Sequence, residues 1–381
     1  MNWKAKLVYN FTAAIAPVLS RIIPKKRNYF VFAPTHDTKK MLSGNCKALL
    51  LYLQKNHPEI DCALVLTFNR NIPIPEEQNG LAVKRSTVQV YWSILRAQHV
   101  ITDSLVFDPL LAYGKHSIIQ LWHGIGFKNV CFLTSQTRRY LKIAKKLTKQ
   151  YKLIVSSSES NSIQQNASFK IKRSIVTGYP RNDVFFKNNN FSSTLRKKYQ
   201  VEYYDKVISY APTFRETVTT DPFTEKYWNK LNTHLAKNNE VFIVKKHPWD
   251  EFLKVPNNFS NIKDLTSSTL ETQELLLITD ILISDYSSII TDFAITGKPI
   301  LTYAYDFDQY IKQVRSMYYD LEKTLPQPIV QREEDLLEKI KDRSWQEDPV
   351  VQKSYENFKK TFHKYLDGNS SKRVTEEILK L

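Results

Sequence analysis

Glycine is scarce in this chain, with 8 in 381 residues, which excludes Gly-rich and collagen-like proteins. Cysteine is scarcer still. Cys46, Cys62 and Cys131 are widely spaced and odd in number. They form neither a disulfide framework nor a metal-ligand spacing, so a reducing compartment is the default and each is read as a small buried apolar residue. Acidic residues are in deficit, 38 against 55 Lys and Arg, for a formal net charge of +17. No apolar run reaches the roughly 20 residues that a spanning helix needs. The chain has no Walker loop, no GxGxxG and no Ser-His-Asp order with a nucleophile elbow. Internal repeats and low-complexity segments are also missing.

What is present is the composition of a globular protein, 42% hydrophobic and 24% charged. The length suits two domains, each with its own core. The charge calls for an anionic partner: a membrane surface, a phosphate-rich substrate or nucleic acid. Small basic clusters, such as Lys25 to Arg27, Lys145 with Lys146 and Arg196 to Lys198, come with no nucleic-acid motif.

Leu7 to Ser20 carries no charge and is flanked by Lys4, Lys6, Arg21 and Lys25 to Arg27. It is too short to cross a bilayer. A signal peptide is the rival reading, but basic residues follow directly and no small-x-small cleavage site is clear. Residues 1–24 are therefore expected to form a helix on the membrane surface. Apolar runs then alternate with helical spacing: Tyr29 to Ala33, Ala63 to Leu66, Val100 to Thr102, Ser117 to Leu121 and Leu153 to Val155 read as strands. The class is α/β with parallel sheets. A turn-rich break at Thr177 to Asp183, followed by Asn188 to Asn190, places the domain crossing, giving domains 25–185 and 186–381. The last helix is free to pack back on the first domain.

The stretch Ile281 to Tyr303 reads as strand, polar turn, helix, turn, strand. Ser284-Asp285-Tyr286-Ser287-Ser288 breaks the apolar run, Ile289, Ile290, Phe293 and Ala294 recur at helical spacing, and Gly297 and Pro299 end the helix. In a parallel sheet such a turn lies at the carboxyl edge, where phosphate binds. Ser287 and Ser288 either cap the helix or hold a phosphate, and the pattern leaves both open. Two strand ends place a histidine in a polar loop: Trp122-His123-Gly124-Ile125-Gly126, where the glycines would permit turns and close approach, and Lys246-His247-Pro248. Histidine is the side chain best tuned for proton transfer near neutral pH. His36, His57, His99, His116, His234 and His363 have no such setting. Asp285 and Asp292 are candidate cation or ribose ligands, but no metal site is supported.

Gln120 to Gly124, Gly178 to Asp183, Ala211-Pro212-Thr213-Phe214-Arg215, Lys246 to Pro248 and Ser284 to Ser288 occur in this order. Asp292-Phe293, Lys298-Pro299-Ile300, Tyr303 to Asp306 and a closing Asp367 to Ser371 with Arg373 continue the pattern. Together they resemble the CDP-glycerol glycerophosphotransferase family over residues 29 to 375. Many members carry Thr-Pro after Trp-His-Gly; here Ile125-Gly126 stands instead, in a loop expected to bear on the acceptor.

The resemblance implies a GT-B fold, two Rossmann-like domains facing a cleft. It implies a CDP-activated polyol phosphate donor, a lipid-linked acceptor and work at the cytoplasmic face of the membrane as a peripheral protein, with no cofactor. His123 and His247 are the catalytic candidates. His123 would be the base on the acceptor hydroxyl, and His247 would stabilise the departing phosphate. Thr213, Arg215, Asp285, Ser287, Ser288 and Asp292 would bind the donor. Trp122, Gly124 and Gly126 would form the loop near the acceptor. Two rivals are a nucleotide-sugar glycosyltransferase and a non-enzymatic basic membrane- or nucleic-acid-binding protein.

Overall fold

The computed structural model describes residues 3–34, 42–65, 82–84, 86–172, 174–187, 190–215, 221–247, 250–313 and 317–381. His36, Leu66, Asn188, Asn189 and Pro248, named above, lie outside them, as does the side chain of Lys4. The chain divides into two compact units. The first comprises Met1–His123, Val130–Asp183 and Lys364–Leu381, and the second Gly124–Asn129 and Val184–His363.

In the first unit β1 (Tyr29–Phe32), β2 (Asp61–Val65), β3 (Ala82–Lys84), β4 (His99–Thr102), β5 (Ile118–Gln120), β6 (Tyr151–Ser156) and β7 (Ile175–Val176) form one sheet in the order β3-β2-β1-β4-β5-β6-β7. Every pairing is parallel. Phe30, Val31, Phe32, Val100, Ile101, Ile118 and Ile119 are all buried without alternation, the mark of strands covered on both faces. The covering helices include α1 (Trp3–Ile22), α2 (Gly44–Asn56), α3 (Thr87–Arg96), α4 (Pro109–Tyr113), α5 (Arg138–Thr148) and α6 (Glu159–Phe169). Their starts follow local chemistry. Ser86 and Gln89 close a capping box on α3, and Asp108 accepts the N–H of Leu110 at 2.8 Å ahead of Pro109.

In the second unit β8 (Lys206–Tyr210), β9 (Glu240–Val244), β10 (Ile262–Asp264), β11 (Ile281–Ser284), β12 (Ile300–Tyr303) and β13 (Ile329–Val330) run parallel in the order β10-β9-β8-β11-β12-β13. An aromatic core lies against this sheet. Phe223 stacks at 4.6 Å on Tyr227 and at 5.4 Å on Tyr303. The helix after β11 is α7 (Ile289–Ala294), and Gly297 beyond it takes φ +71°, the left-handed stop that glycine permits. The last helix, α8 (Ser370–Leu379), belongs to the first unit and packs on α2.

The N-terminal helix α1 lies along α4. Ala16 has no exposed surface, Tyr9 meets Tyr113 edge-on at 6.5 Å, and the Ser20 hydroxyl accepts the Lys115 N–H at 2.8 Å. The other face is apolar and open to solvent: Trp3, Leu7, Phe11, Val18 and Ile22 are each more than half exposed and fall on one helical stripe. No described helix is long and apolar enough to cross a membrane.

Two histidines without a catalytic setting are buried in the first unit. Burial pushes the His99 imidazole down to about 4; burial, then Lys25, pushes His116 down to about 3. A folded value below the unfolded one means that the unfolded chain takes up the proton first. The stability these neutral rings contribute is complete above about pH 6.5 and falls as the pH drops toward those lower values. Between pH 7.5 and 5 each should cost about 2 kcal/mol of unfolding free energy. Urea unfolding across that range should therefore show a smaller loss in His99→Gln than in the wild type. An identical pH slope would refute the assignment.

Candidate active site

The Trp122–His123 turn begins at the end of β5. Gln120, fully buried, donates from Nε2 to the Ser104 carbonyl at 2.8 Å and accepts the Trp122 N–H at 2.9 Å. That bond turns the chain at once, and Trp122 takes φ +54°, a conformation rare for a bulky residue. The Trp122 ring packs edge-on to Phe169 at 4.8 Å and lies 4.1 Å from the His123 ring. His123 Nδ1 is 2.8 Å from the backbone carbonyl of Asp103, just after β4. A carbonyl only accepts, so Nδ1 bears a hydrogen, and in the neutral ring Nε2 keeps its lone pair. In that tautomer Nε2 is the ring's basic nitrogen.

The two glycines of this loop differ. Gly124 takes φ +120°, where a side chain is strained. Gly126 has no positive φ, and a Cβ there would meet nothing within 4 Å. Of the two, Gly124 alone has a backbone conformation that favours glycine. Residues Gly124–Asn129 belong to the second unit, where Ile125 and Phe127 are buried and the Phe127 carbonyl accepts the Tyr318 N–H at 2.8 Å.

The second unit's sheet changes direction between β8 and β11, and this is where open parallel sheets bind ligands. Both flanking loops are among those singled out by sequence. Thr213 follows β8, and Asp285 to Ser288 follow β11. His247 lies past the end of the neighbouring β9, with its ring 4.9 Å from that of Phe214. The Asp285 carboxylate is fully buried. It accepts from the Thr213 hydroxyl at 2.6 Å, the Thr213 N–H at 3.0 Å, the Tyr286 N–H at 2.6 Å and Arg215 Nη2 at 2.8 Å. Arg215 also grips Asp306 through Nε at 2.7 Å and Nη2 at 3.0 Å, and donates to the Thr213 carbonyl. The rings of Tyr286, Tyr305 and Tyr310 surround the guanidinium at 4.9 to 5.5 Å. Burial opposes the guanidinium's charge, but Asp285 and Asp306 outweigh it and raise its pKa.

Three of the expected donor ligands make internal contacts. Asp285 and Arg215 bond to each other beneath the turn instead of lining it. Asp292 has no exposed surface and accepts from Gln273 Nε2 at 3.2 Å. Ser287 and Ser288 are half-buried and remain at the surface of the turn. The Ser287 hydroxyl accepts the Ile289 N–H at 3.4 Å, a long bond, and the Ser288 side chain makes no capping bond. Capping therefore does not account for both hydroxyls. Thr213 is half-buried, with its hydroxyl given to Asp285.

Sequence reading gave no role to Asn45, Asp103, Arg181 or Asp306. Asp103 sits in Thr102-Asp103-Ser104 at the end of an apolar run, the same pattern as Ser284-Asp285-Tyr286, and that signal was available. No local signal marks Asn45. Among the described residues no group of three or more His, Cys, Asp or Glu is placed to hold a metal.

The site predicts a split between stability and binding. Arg215→Ala leaves two buried carboxylates without their cation and should cost about 3–5 kcal/mol in urea unfolding. Replacing Ser287 and Ser288 by alanine should cost less than about 1 kcal/mol, since little internal bonding is lost. An Arg215→Ala protein as stable as the wild type would refute the buried clamp.

Comparison with known proteins gives a concordant answer. A family model described as CDP-Glycerol:Poly(glycerophosphate) glycerophosphotransferase matches residues 15–380. A teichoic acid poly(glycerol phosphate) polymerase of Bacillus spizizenii is 28% identical over 99% of this chain and 100% of its own length. A teichoic acid poly(ribitol-phosphate) polymerase of the same organism is also 28% identical, over 94% of this chain but 57% of its own length. The structure of the wall teichoic acid polymerase TagF superposes with a TM-score of 0.82 at 23% identity, covering 99% of this chain and 95% of that one. The last likeness establishes the fold.

Proposed function

The chain belongs to the CDP-glycerol:poly(glycerophosphate) glycerophosphotransferase family, and from that premise we propose that it transfers glycerol phosphate or ribitol phosphate from a CDP-activated donor to a hydroxyl of a lipid-linked acceptor in teichoic acid synthesis. The acceptor oxygen attacks the phosphorus that bears the polyol. The bond from that phosphorus to the bridging oxygen breaks, and CMP leaves with that oxygen. His123 takes the hydroxyl proton at Nε2. His247 donates a hydrogen bond or proton to the departing phosphate. Ser287 and Ser288 hold the diphosphate with their hydroxyls, and Arg215 and Asp285 keep their turn in place from below. Such a transfer is mainly positioning and charge stabilisation.

The observation that carries this reading is the place of the serine turn, at the point where the second unit's sheet changes direction. The deciding experiment is calorimetry with CDP, CDP-glycerol, CDP-ribitol, UDP and UDP-sugars. The wild type should prefer the CDP compounds. Ser287→Ala with Ser288→Ala should weaken them by roughly tenfold or more, since hydrogen bonds to a charged ligand are worth ~1.5–3 kcal/mol each. Preference for a UDP-sugar would replace this reading with a glycosyltransferase.

The apolar stripe of α1 supports work at a membrane surface. Trp3, Leu7 and Phe11 would enter the interface, while basic residues of the neighbouring α5, such as Arg139, whose guanidinium lies 5.8 Å from the Tyr9 ring, meet anionic headgroups. Removing α1 would uncover the core around Ala16, so point changes make the cleaner test. Leu7→Ser with Phe11→Ser should abolish flotation with phosphatidylglycerol vesicles while thermal unfolding stays unchanged. Undiminished flotation would remove α1 from membrane contact.

A further inference from the structure

We propose that Asn45 and Arg181 are positioning residues for His123, holding the turn that sets its imidazole on the Asp103 carbonyl. The inference rests on the reading of His123 as the base. Three successive carbonyls of the turn accept from these two side chains. Asn45 Nδ2 donates to the Trp122 carbonyl at 2.8 Å and to the Leu121 carbonyl at 3.4 Å. Arg181 Nη1 donates to the His123 carbonyl at 2.9 Å. The two are also tied together, because Asn45 Oδ1 accepts the Arg181 N–H at 3.1 Å.

The turn needs such support. Trp122 sits in left-handed backbone at φ +54°, which a bulky residue does not hold unless its surroundings over-determine it. Asn45 is buried, and its bonding leaves no choice of amide orientation. Two carbonyls require the nitrogen, and a backbone N–H requires the oxygen. A carboxylate supplies no donor and an aliphatic side chain supplies neither group, so only an amide meets all three. Arg181 is fixed from its other side. It lies in the short helical turn Pro180–Phe186, whose Asp183 carboxylate accepts the N–H groups of Ser370 at 2.8 Å and Ser371 at 2.7 Å at the start of α8. The C-terminal helix is thereby linked to the backbone of His123 through two residues. These four bonds of Asn45 and Arg181 go to backbone groups of the turn and of each other, so their effect on the ring is exerted through the turn.

The test measures the ring and the reaction separately, on the full chain with CDP-glycerol as donor. Imidazole ¹⁵N spectra, assigned by comparison with His123→Asn, should show one Nδ1–H tautomer for His123 in the wild type. Asn45→Ala, Asn45→Asp and Arg181→Ala should each add the second tautomer and lower kcat by roughly tenfold to a hundredfold, with donor KM changed less than about twofold. Arg181→Lys should recover part of the loss. The Asn45→Ala/Arg181→Ala double variant should lose less than the product of the single effects, because both act on one turn. A wild-type spectrum in Arg181→Ala would overturn the inference even if the Asn45 variants failed to fold. A loss expressed as a raised donor KM would also overturn it, making Arg181 a ligand. An altered tautomer with unchanged kcat would leave the clamp standing and remove His123 as the base.

Discussion

A carboxylate with no exposed surface has to be satisfied from within, and the loops of the second unit are arranged around that need. Asp285 draws in the Thr213 hydroxyl and N–H, the N–H of its own neighbour and one arm of Arg215. Arg215 is held in turn by Asp306 from the loop after β12. Loops after three strands are thus joined by charge-assisted bonds in a setting walled by tyrosines, where such bonds are strong and their loss is costly. The Ser287–Ser288 surface rests on this clamp.

The first unit solves a related problem at the corresponding place. In both sheets the strand order runs outward on one side and reverses across one pair, β1 with β4 and β8 with β11. The strand across the reversal ends in a hydroxyl residue followed by aspartate, Thr102-Asp103 in one and Ser284-Asp285 in the other. In each, the strand's last hydroxyl donates to a backbone carbonyl: Thr102 to Ser104 at 2.9 Å, Ser284 to Ala211 at 2.6 Å. The aspartates then diverge. Asp285 uses its carboxylate to organise a loop, whereas Asp103 offers its main-chain carbonyl to an imidazole.

The fold was legible where burial is double-sided. Runs such as Val100-Ile101 and Ile281-Leu282-Ile283 have only one sensible reading in an alternating chain, and the strand, helix and glycine stop of 281–303 form as their spacing requires. The ends of strands were also legible, which is why His123 and the serine turn stood out. What a linear reading lacked was direction. Asp285, Asp292 and Arg215 are charged residues in a polar context, and charge normally marks the surface. Here each is turned inward to a partner distant in sequence, Arg215 and Asp306 being 91 residues apart. Asn45 is harder still, because its partners lie 76, 77 and 136 residues on, and nothing local separates it from a solvated asparagine.

The inward turn of Arg215 has an electrostatic consequence for the chemistry. One guanidinium between two carboxylates leaves a negative balance under the serine turn, and on the proposed reading this cation is not the counter-charge of a bound diphosphate. On the proposed reading, that charge must be met by hydroxyls, backbone N–H groups and the cationic segment past β9. There Lys245 is tied by Nζ to the Leu265 carbonyl at 2.8 Å, and Lys246 to that of Leu253. The ammonium groups are therefore held by the protein's own carbonyls, and the proposed reading gives the proton transfer of that segment to His247. A proton that moves with the leaving phosphate neutralises charge when it develops, where a fixed cation would bind substrate and product alike. Only stabilisation that is stronger in the transition state than in the ground state accelerates the transfer. On the proposed reading, the burial of Arg215 and the histidine beyond β9 are one arrangement: the permanent charge holds the turn, and the histidine is kept for the chemistry.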